Sequence, residues 1–252
     1  MRQTLIAGNW KMNKLVSDAL PGAQELTRQL GAARSGVELL LCVPATHLHA
    51  LNQALKGSPV RLGGQDLSAH ESGAYTGEIS GAMLRDAGAD FVLVGHSERR
   101  QYHGEDDVLL NAKIRAAQGS WLTPILCVGE SADERDAGQA NQVVLSQLEG
   151  ALHEIDIASS KELTVAYEPV WSIGTGRTAT PEDAQAMCSV IRAWLTDRYP
   201  AMAANMRILY GGSMKPDNAA ELLEQTDING GLIGGASLEV EDLLAIYEAA
   251  AA

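Results

Sequence analysis

The chain has 252 residues, 46% of them hydrophobic and 20% charged, with 25 glycines, 8 prolines and 3 cysteines. These ordinary globular values exclude a disordered tail, a collagen-like fibre and a disulfide scaffold. Nineteen Lys and Arg stand against 32 Asp and Glu, a net charge of −13, so nucleic acid and anionic membranes are poor partners, and a phosphorylated ligand would need a local positive site to overcome the global field.

Short apolar runs alternate with helical patterns from end to end. The runs are Thr4–Ala7, Leu39–Val43, Val60–Leu62, Phe91–Val94, Leu122–Val128, Leu163–Tyr167, Arg207–Tyr210 and Leu232–Ile233. They are short, often β-branched and apolar on both faces, as buried parallel strands are. Eight runs in 252 residues give 31.5 residues per unit, enough for one strand and one helix each. Between them, Ala184, Met187, Cys188, Ile191 and Leu195 recur at helical spacing. So do Leu243, Ile246, Tyr247 and Ala250, and more weakly Leu145, Leu148 and Leu152. Thr180-Pro181-Glu182-Asp183 marks a capped helix start. No linker or composition break interrupts the alternation. The pattern predicts an α/β fold, a closed (β/α)8 barrel in one domain over residues 1–252, with a doubly wound sheet as the rival.

The first run is too short for the apolar core of a signal peptide, and no run approaches the ~18 residues of a membrane span. Cys42, Cys127 and Cys188 are odd in number and widely spaced, without CxxC or a His-rich cluster. They read as reduced core thiols of a cytoplasmic protein, with no zinc site expected.

In parallel α/β folds the ligand site is lined by polar groups just past the carboxyl ends of strands. Here those positions carry Asn9 and Lys11 after the first run, His96 to Arg99 after the fourth, Glu168 after the sixth, Gly211-Gly212-Ser213 after the seventh and Gly234-Gly235 after the eighth. A lone lysine is ordinarily a surface residue, but at a barrel mouth it supplies positive potential to an anion or forms a Schiff base. If Ser97 starts a helix, its N-terminus keeps the His96 imidazole neutral and able to act as a hydrogen-bonding electrophile. Partial burial would raise the basicity of Glu168 towards that of a neutral-pH general base. The two Gly-rich turns read singly as tight turns. Together, after the last two strands, they read as a phosphate seat.

Residues 169–178, with a stiff proline start, an apolar tip and two glycines, suit a lid over a ligand. They also hold a formal dinucleotide signature, Gly174-x-Gly176-x-x-Ala179. That reading fails because Pro169 to Ile173 separate the glycines from the strand and the helix starts beyond them, at Thr180-Pro181.

The motifs resemble one family, triosephosphate isomerase. The matching segments are Gly8-Asn9-Trp10-Lys11-Met12-Asn13, Gly95-His96-Ser97-Glu98-Arg99-Arg100, Pro124-Ile125-Leu126-Cys127-Val128-Gly129-Glu130, Ala166-Tyr167-Glu168-Pro169-Val170-Trp171, Ile173-Gly174-Thr175-Gly176, Tyr210-Gly211-Gly212-Ser213 and Gly234-Gly235-Ala236-Ser237-Leu238. They run in family order across nearly the whole chain. The resemblance implies a TIM barrel that interconverts dihydroxyacetone phosphate and D-glyceraldehyde 3-phosphate through an enediolate, in glycolysis and gluconeogenesis, with no metal or organic cofactor. It implies Glu168 as base, His96 as electrophile and Lys11 as the cation, with Glu98 supporting the Lys11–His96 side. It also implies Asn9, Gly174, Ser213, Gly234 and Gly235 as substrate-binding residues, and a lid that excludes water from the enediolate. It further implies a homodimer through the loop around Gln65 and Tyr75–Glu78, with Thr76 reaching the partner's Asn9–Lys11 region. Four residues depart from the commonest pattern: Ser172, Arg177, Met214 and Gly231. They put lid timing and local packing in question, not the reaction. Two other readings are a Schiff-base aldolase on Lys11 and a non-catalytic phosphate-binding barrel.

Overall fold

The computed structural model describes residues 3–31, 36–172 and 179–251. Eight parallel strands close on themselves in chain order: β1 (Thr4–Asn9), β2 (Val37–Cys42), β3 (Val60–Gly64), β4 (Phe91–Val94), β5 (Thr123–Val128), β6 (Thr164–Tyr167), β7 (Arg207–Tyr210) and β8 (Gly230–Ile233). The closing seam pairs Leu5 with Gly230 and Gly8 with Ile233. Closure decides against the doubly wound alternative.

The strands are apolar on both faces because each face meets a different core. Leu5, Ala7, Leu40, Cys42, Leu93, Ile125, Cys127, Ala166, Leu209 and Leu232 point inward and fill the barrel. Their neighbours Ile6, Leu39, Leu41, Val92, Leu126, Val165 and Ile208 point outward into the layer shared with the helices. The alternation is the period-2 geometry of a pleated strand applied eight times.

The helices are α1 (Val16–Leu30), α2 (Ala45–Ala54), α3 (Gly81–Asp86), α4 (Ser97–His103), α5 (Asp107–Gly119), α6 (Ala132–Asp136), α7 (Ala140–Ala151), α8 (Pro181–Arg198), α9 (Ala219–Leu223) and α10 (Val240–Ala251). The sequence pattern predicts one helix per strand, but the units after β4 and β5 each carry two. Gly104 at φ +67° caps α4, and Gly138 at φ +72° separates α6 from α7. Only glycine adopts that left-handed turn without strain, so each helix stops and restarts. The predicted start at Thr180 holds: its hydroxyl accepts from Asp183 N–H at 3.1 Å while the Asp183 carboxylate accepts from Thr180 N–H at 3.2 Å.

Strand β8 begins two residues before the apolar run because Gly230 and Gly231 carry no hydrophobic signal. A Cβ on Gly231 would lie 2.7 Å from the sulfur of buried Met214. Two of the four departures from the family pattern thus compensate each other: the methionine fills the space that a side chain at 231 would take. Ser172 is buried, and its hydroxyl donates to the Pro169 carbonyl at 2.9 Å. Arg177 and Gly174 lie outside the described residues.

Candidate active site

Lys11, His96 and Glu168 follow β1, β4 and β6 and converge on one cavity of about 430 Å³ at the carboxyl ends of the strands. Asn9, Ser213, Gly234 and Gly235 line the same cavity. All the predicted site residues among the described ones are therefore brought together. Gly211 and Gly212 of the first Gly-rich turn line it as well, and so do Lys215 and Leu232, to which the sequence gave no part in the site.

Glu168 is 2% exposed. Ser97 N–H donates to Oε2 at 2.9 Å, the Ser97 hydroxyl donates to Oε1 at 3.1 Å, and His96 Nε2 stands 2.9 Å from Oε1. Burial pushes this carboxyl upward, but the imidazole and both Ser97 donors outweigh it and hold Glu168 below the ordinary carboxylate range. The sequence predicts the opposite sign from burial alone; the adjoining His96 first, and then the two donors on Ser97, are the missing causes. Ser97 is the functional residue that sequence reasoning passed over, naming it only as a helix start.

His96 caps α4, and its Nδ1 accepts from Glu98 N–H at 3.2 Å. With Nδ1 accepting, the neutral ring carries its proton on Nε2, the atom that faces Glu168. Burial depresses the ring's affinity for a second proton, yet the adjoining Glu168 carboxylate raises it above the ordinary histidine value. The expectation of a depressed imidazole therefore does not hold while Glu168 rests against Nε2. The Glu98 carboxylate adds to that rise, and the Lys11 ammonium opposes it.

Lys11 is held in an unusual backbone conformation, φ +53°. Its N–H donates to Asn9 Oδ1 at 3.0 Å, and Gln65 Nε2 donates to its carbonyl at 2.9 Å and to that of Cys42 at 3.1 Å. A left-handed non-glycine costs about 1–2 kcal/mol and persists where its surroundings over-determine it. The ammonium reaches Glu98 Oε1 at 2.5 Å, with both side chains partly exposed. Gln65, predicted as part of a subunit-contact loop, also clamps the backbone of the site's cation.

Glycines let these groups approach. A Cβ on Gly211 would come 2.9 Å from Glu168 Cγ, and one on Gly129 would overlap the Glu168 carbonyl at 1.7 Å. A Cβ on Gly234 would stand 3.4 Å from Lys11 Cε, so the cation and the last Gly-rich turn are neighbours. Among the described residues no cluster of three or more His, Cys, Asp or Glu is disposed to hold a metal ion.

The family model for triosephosphate isomerase matches residues 4–250. The chain belongs to the triosephosphate isomerase family. It is 51% identical to triosephosphate isomerase of Deinococcus radiodurans over 98% of this chain and 99% of that one. It is 48% identical to that of Thermus thermophilus over 99% of this chain and all of the other. The crystal structure of triosephosphate isomerase from Bartonella henselae superposes with a TM-score of 0.90 at 39% identity, covering 98% of each chain. Among triosephosphate isomerases the convergent ammonium, imidazole and carboxylate acquire a reaction, and the seven motifs acquire a common reason for their order.

Proposed function

We propose that Glu168, His96 and Lys11 carry out the family's reaction, the interconversion of dihydroxyacetone phosphate and D-glyceraldehyde 3-phosphate. Glu168 takes a proton from the carbon beside the carbonyl. The electron pair moves into the carbonyl, and His96 Nε2–H hydrogen-bonds the oxygen on which charge develops. His96 then moves a proton from the substrate's hydroxyl oxygen to the former carbonyl oxygen, and Glu168 returns its proton to the neighbouring carbon, which completes the isomerisation. Lys11 offsets the charge of the phosphate and of the enediolate, and Asn9 hydrogen-bonds the substrate. The backbone N–H groups of Gly234 and Gly235, with Ser213, hold the phosphate, and Gly174 joins them. Closure of residues 169–178 excludes water and keeps the enediolate from expelling its phosphate. In the resting arrangement Glu168 is tied to Ser97, so these two bonds break before the carboxylate reaches substrate.

One observation carries this reading: the three groups line one cavity of about 430 Å³ with the two Gly-rich turns. A local cation and oriented amides there overcome the repulsion of a chain of charge −13. A coupled assay with glyceraldehyde 3-phosphate tests it. Turnover is expected, and borohydride trapping of an adduct on Lys11 would instead favour the aldolase reading.

We infer further that the chain works as a homodimer. A second hollow of about 1020 Å³ adjoins the site and shares Asn9, Lys11 and His96 with it. Met12, 96% exposed, and Tyr102, 71% exposed, edge this hollow. Residues 71–78 form an exposed loop in which Tyr75 stacks on His70 with ring centroids 3.9 Å apart. A loop of this shape from a second copy suits the hollow, with Thr76 directed at Asn9 and Lys11. Sedimentation of a dimer, converted to monomer by Thr76→Arg with loss of turnover, is the expected result; a fully active monomer overturns it. Three buried free thiols support the cytoplasm as the compartment. One cooperative melting transition is expected of a single domain.

A further inference from the structure

We propose that Lys14 is a positioning residue for the known reaction, tying the loop that carries Asn9 and Lys11 to the turn that grips the phosphate. The inference rests on the reading that Gly234 and Gly235 hold the phosphate. The turn runs from Gly234 into a 3-10 helix, Gly235–Leu238. Its carboxyl end is gripped from the first loop at two consecutive carbonyls. Lys14 Nζ donates to Leu238 O at 2.7 Å, and Trp10 Nε1 donates to Ser237 O at 3.1 Å. The two grips support each other, because the Lys14 ammonium lies over the Trp10 ring, 5.2 Å from its centroid. Within the turn, Ser237 donates to Gly234 O from its hydroxyl at 2.7 Å and from its N–H at 2.9 Å. Holding the carboxyl end thereby fixes Gly234, whose Cα lies beside the Lys11 side chain.

The backbone of Lys14 argues the same way. It sits at φ +66°, where glycine is favoured and a side chain is unfavourable. Its carbonyl accepts from His47 Nε2 at 3.1 Å, and His47 packs edge-on against Trp10. A position that glycine suits best bears instead a side chain that reaches the opposite loop. The ammonium contact offsets that backbone cost, and what it supplies is placement: the distance between the ammonium of Lys11 and the amides of Gly234 and Gly235 is fixed before substrate arrives.

Three variants separate placement from mere stability. Lys14→Met removes the ammonium and keeps the backbone constraint, Lys14→Arg keeps a donor, and Lys14→Gly removes both strain and tether. The readouts are kcat, KM, melting temperature and competitive inhibition by inorganic phosphate. Lys14→Met is expected to raise KM and weaken phosphate inhibition together by about fivefold, with kcat changed less than about twofold. Lys14→Arg restores both. Lys14→Gly melts no lower than the parent yet binds phosphate as weakly as Lys14→Met. The fold-change persists at 0.5 M KCl, roughly the salt at which a long-range field effect is screened away. Parent-like phosphate inhibition in Lys14→Met or Lys14→Gly, or a ratio that collapses in salt, overturns the proposal. Gly235→Pro, which deletes one donor amide, tests the underlying seat. If phosphate inhibition survives that change, the seat itself is misplaced; if it is lost while Lys14→Met is neutral, the tether alone is wrong.

Discussion

The two ends of the barrel hold the same backbone anomaly and use it differently. Among the described residues, four non-glycines have positive φ: Lys11 and Lys14 at the carboxyl ends of the strands, Trp121 and Glu154 at the amino ends. At the mouth each is held from several sides: Lys11 by Asn9, Gln65 and Glu98, Lys14 by His47 and Leu238. At the base, Trp121 leaves its side chain 86% exposed, and Glu154 is secured through its carbonyl, which accepts from Arg115 at 3.1 Å. Strain that is over-determined places a functional group; strain that is not is simply a cost to the fold. Substitutions at the mouth should therefore move rates, and substitutions at the base should move stability.

The largest expected effect is at the mouth. Glu168→Asp withdraws the carboxylate by one methylene from the proton it must take. A displacement near 1 Å should lower kcat by about 10²- to 10³-fold, with an unchanged circular-dichroism spectrum. Near-native turnover would remove Glu168 as the base. The counterpart at the base is Arg207, the first residue of β7, buried and paired with Glu38. Arg207→Met strands a carboxylate in a largely buried position. It should lower unfolding free energy by about 2–4 kcal/mol in denaturant titrations while kcat/KM stays within a factor of about two. A loss of turnover without a loss of stability would erase the distinction between the two ends.

How far the sequence reaches follows the same division. The eight strands are legible because burial on both faces leaves uninterrupted apolar runs. The mouth is legible because Lys11, His96 and Glu168 each stand within four residues of the end of such a run. What escapes is relational. Ser97 reads as a helix start, and only the folded chain brings both its donors to Glu168, 71 residues away. Together with the His96 imidazole, which lowers it most, that contact reverses the direction in which burial alone would move the carboxyl. Gln65 reads as a loop residue and turns out to clamp Lys11. Gly231 and Met214 read as two unrelated oddities, 17 residues apart, and occupy each other's space. Hydrophobic periodicity is local information, whereas a pairing between loops of a barrel is not.

The mutual influence of His96 and Glu168 gives a smaller and more specific effect. Burial is the largest influence on the imidazole and lowers it; the Glu168 carboxylate raises it most, with a smaller rise from Glu98. Glu168→Gln removes the raising charge and leaves the opposing burial, so the His96 titration midpoint should fall below the ordinary histidine value of about 6.5. Nitrogen-15 chemical shifts of the ring follow it directly. They should also report the proton of the neutral ring on Nε2 and a lone pair on Nδ1, where Glu98 N–H donates. An unchanged or higher midpoint would mean that the carboxylate is not what governs the ring.

The smallest effect lies at the base and tests the comparison from its weaker side. Trp121 adopts φ +60° with its ring in solvent, so Trp121→Gly removes the left-handed penalty of about 1–2 kcal/mol and gives up almost no burial. Against this, glycine loosens the unfolded chain by about 0.4–1 kcal/mol. The balance lies between about 0 and 1.6 kcal/mol, a central gain of about 0.8 kcal/mol, or a melting temperature higher by roughly 2–3 °C for a chain of this size. Activity should not change, because the residue lies at the barrel end remote from the cavity. Lys11→Gly relieves the same backbone angle, yet it should abolish turnover whatever it does to the melting temperature. If Trp121→Gly instead lowers the melting temperature, the exposed ring holds a contact that outweighs its backbone cost. Strain at the base would then be over-determined as well, and the two ends would differ in chemistry alone.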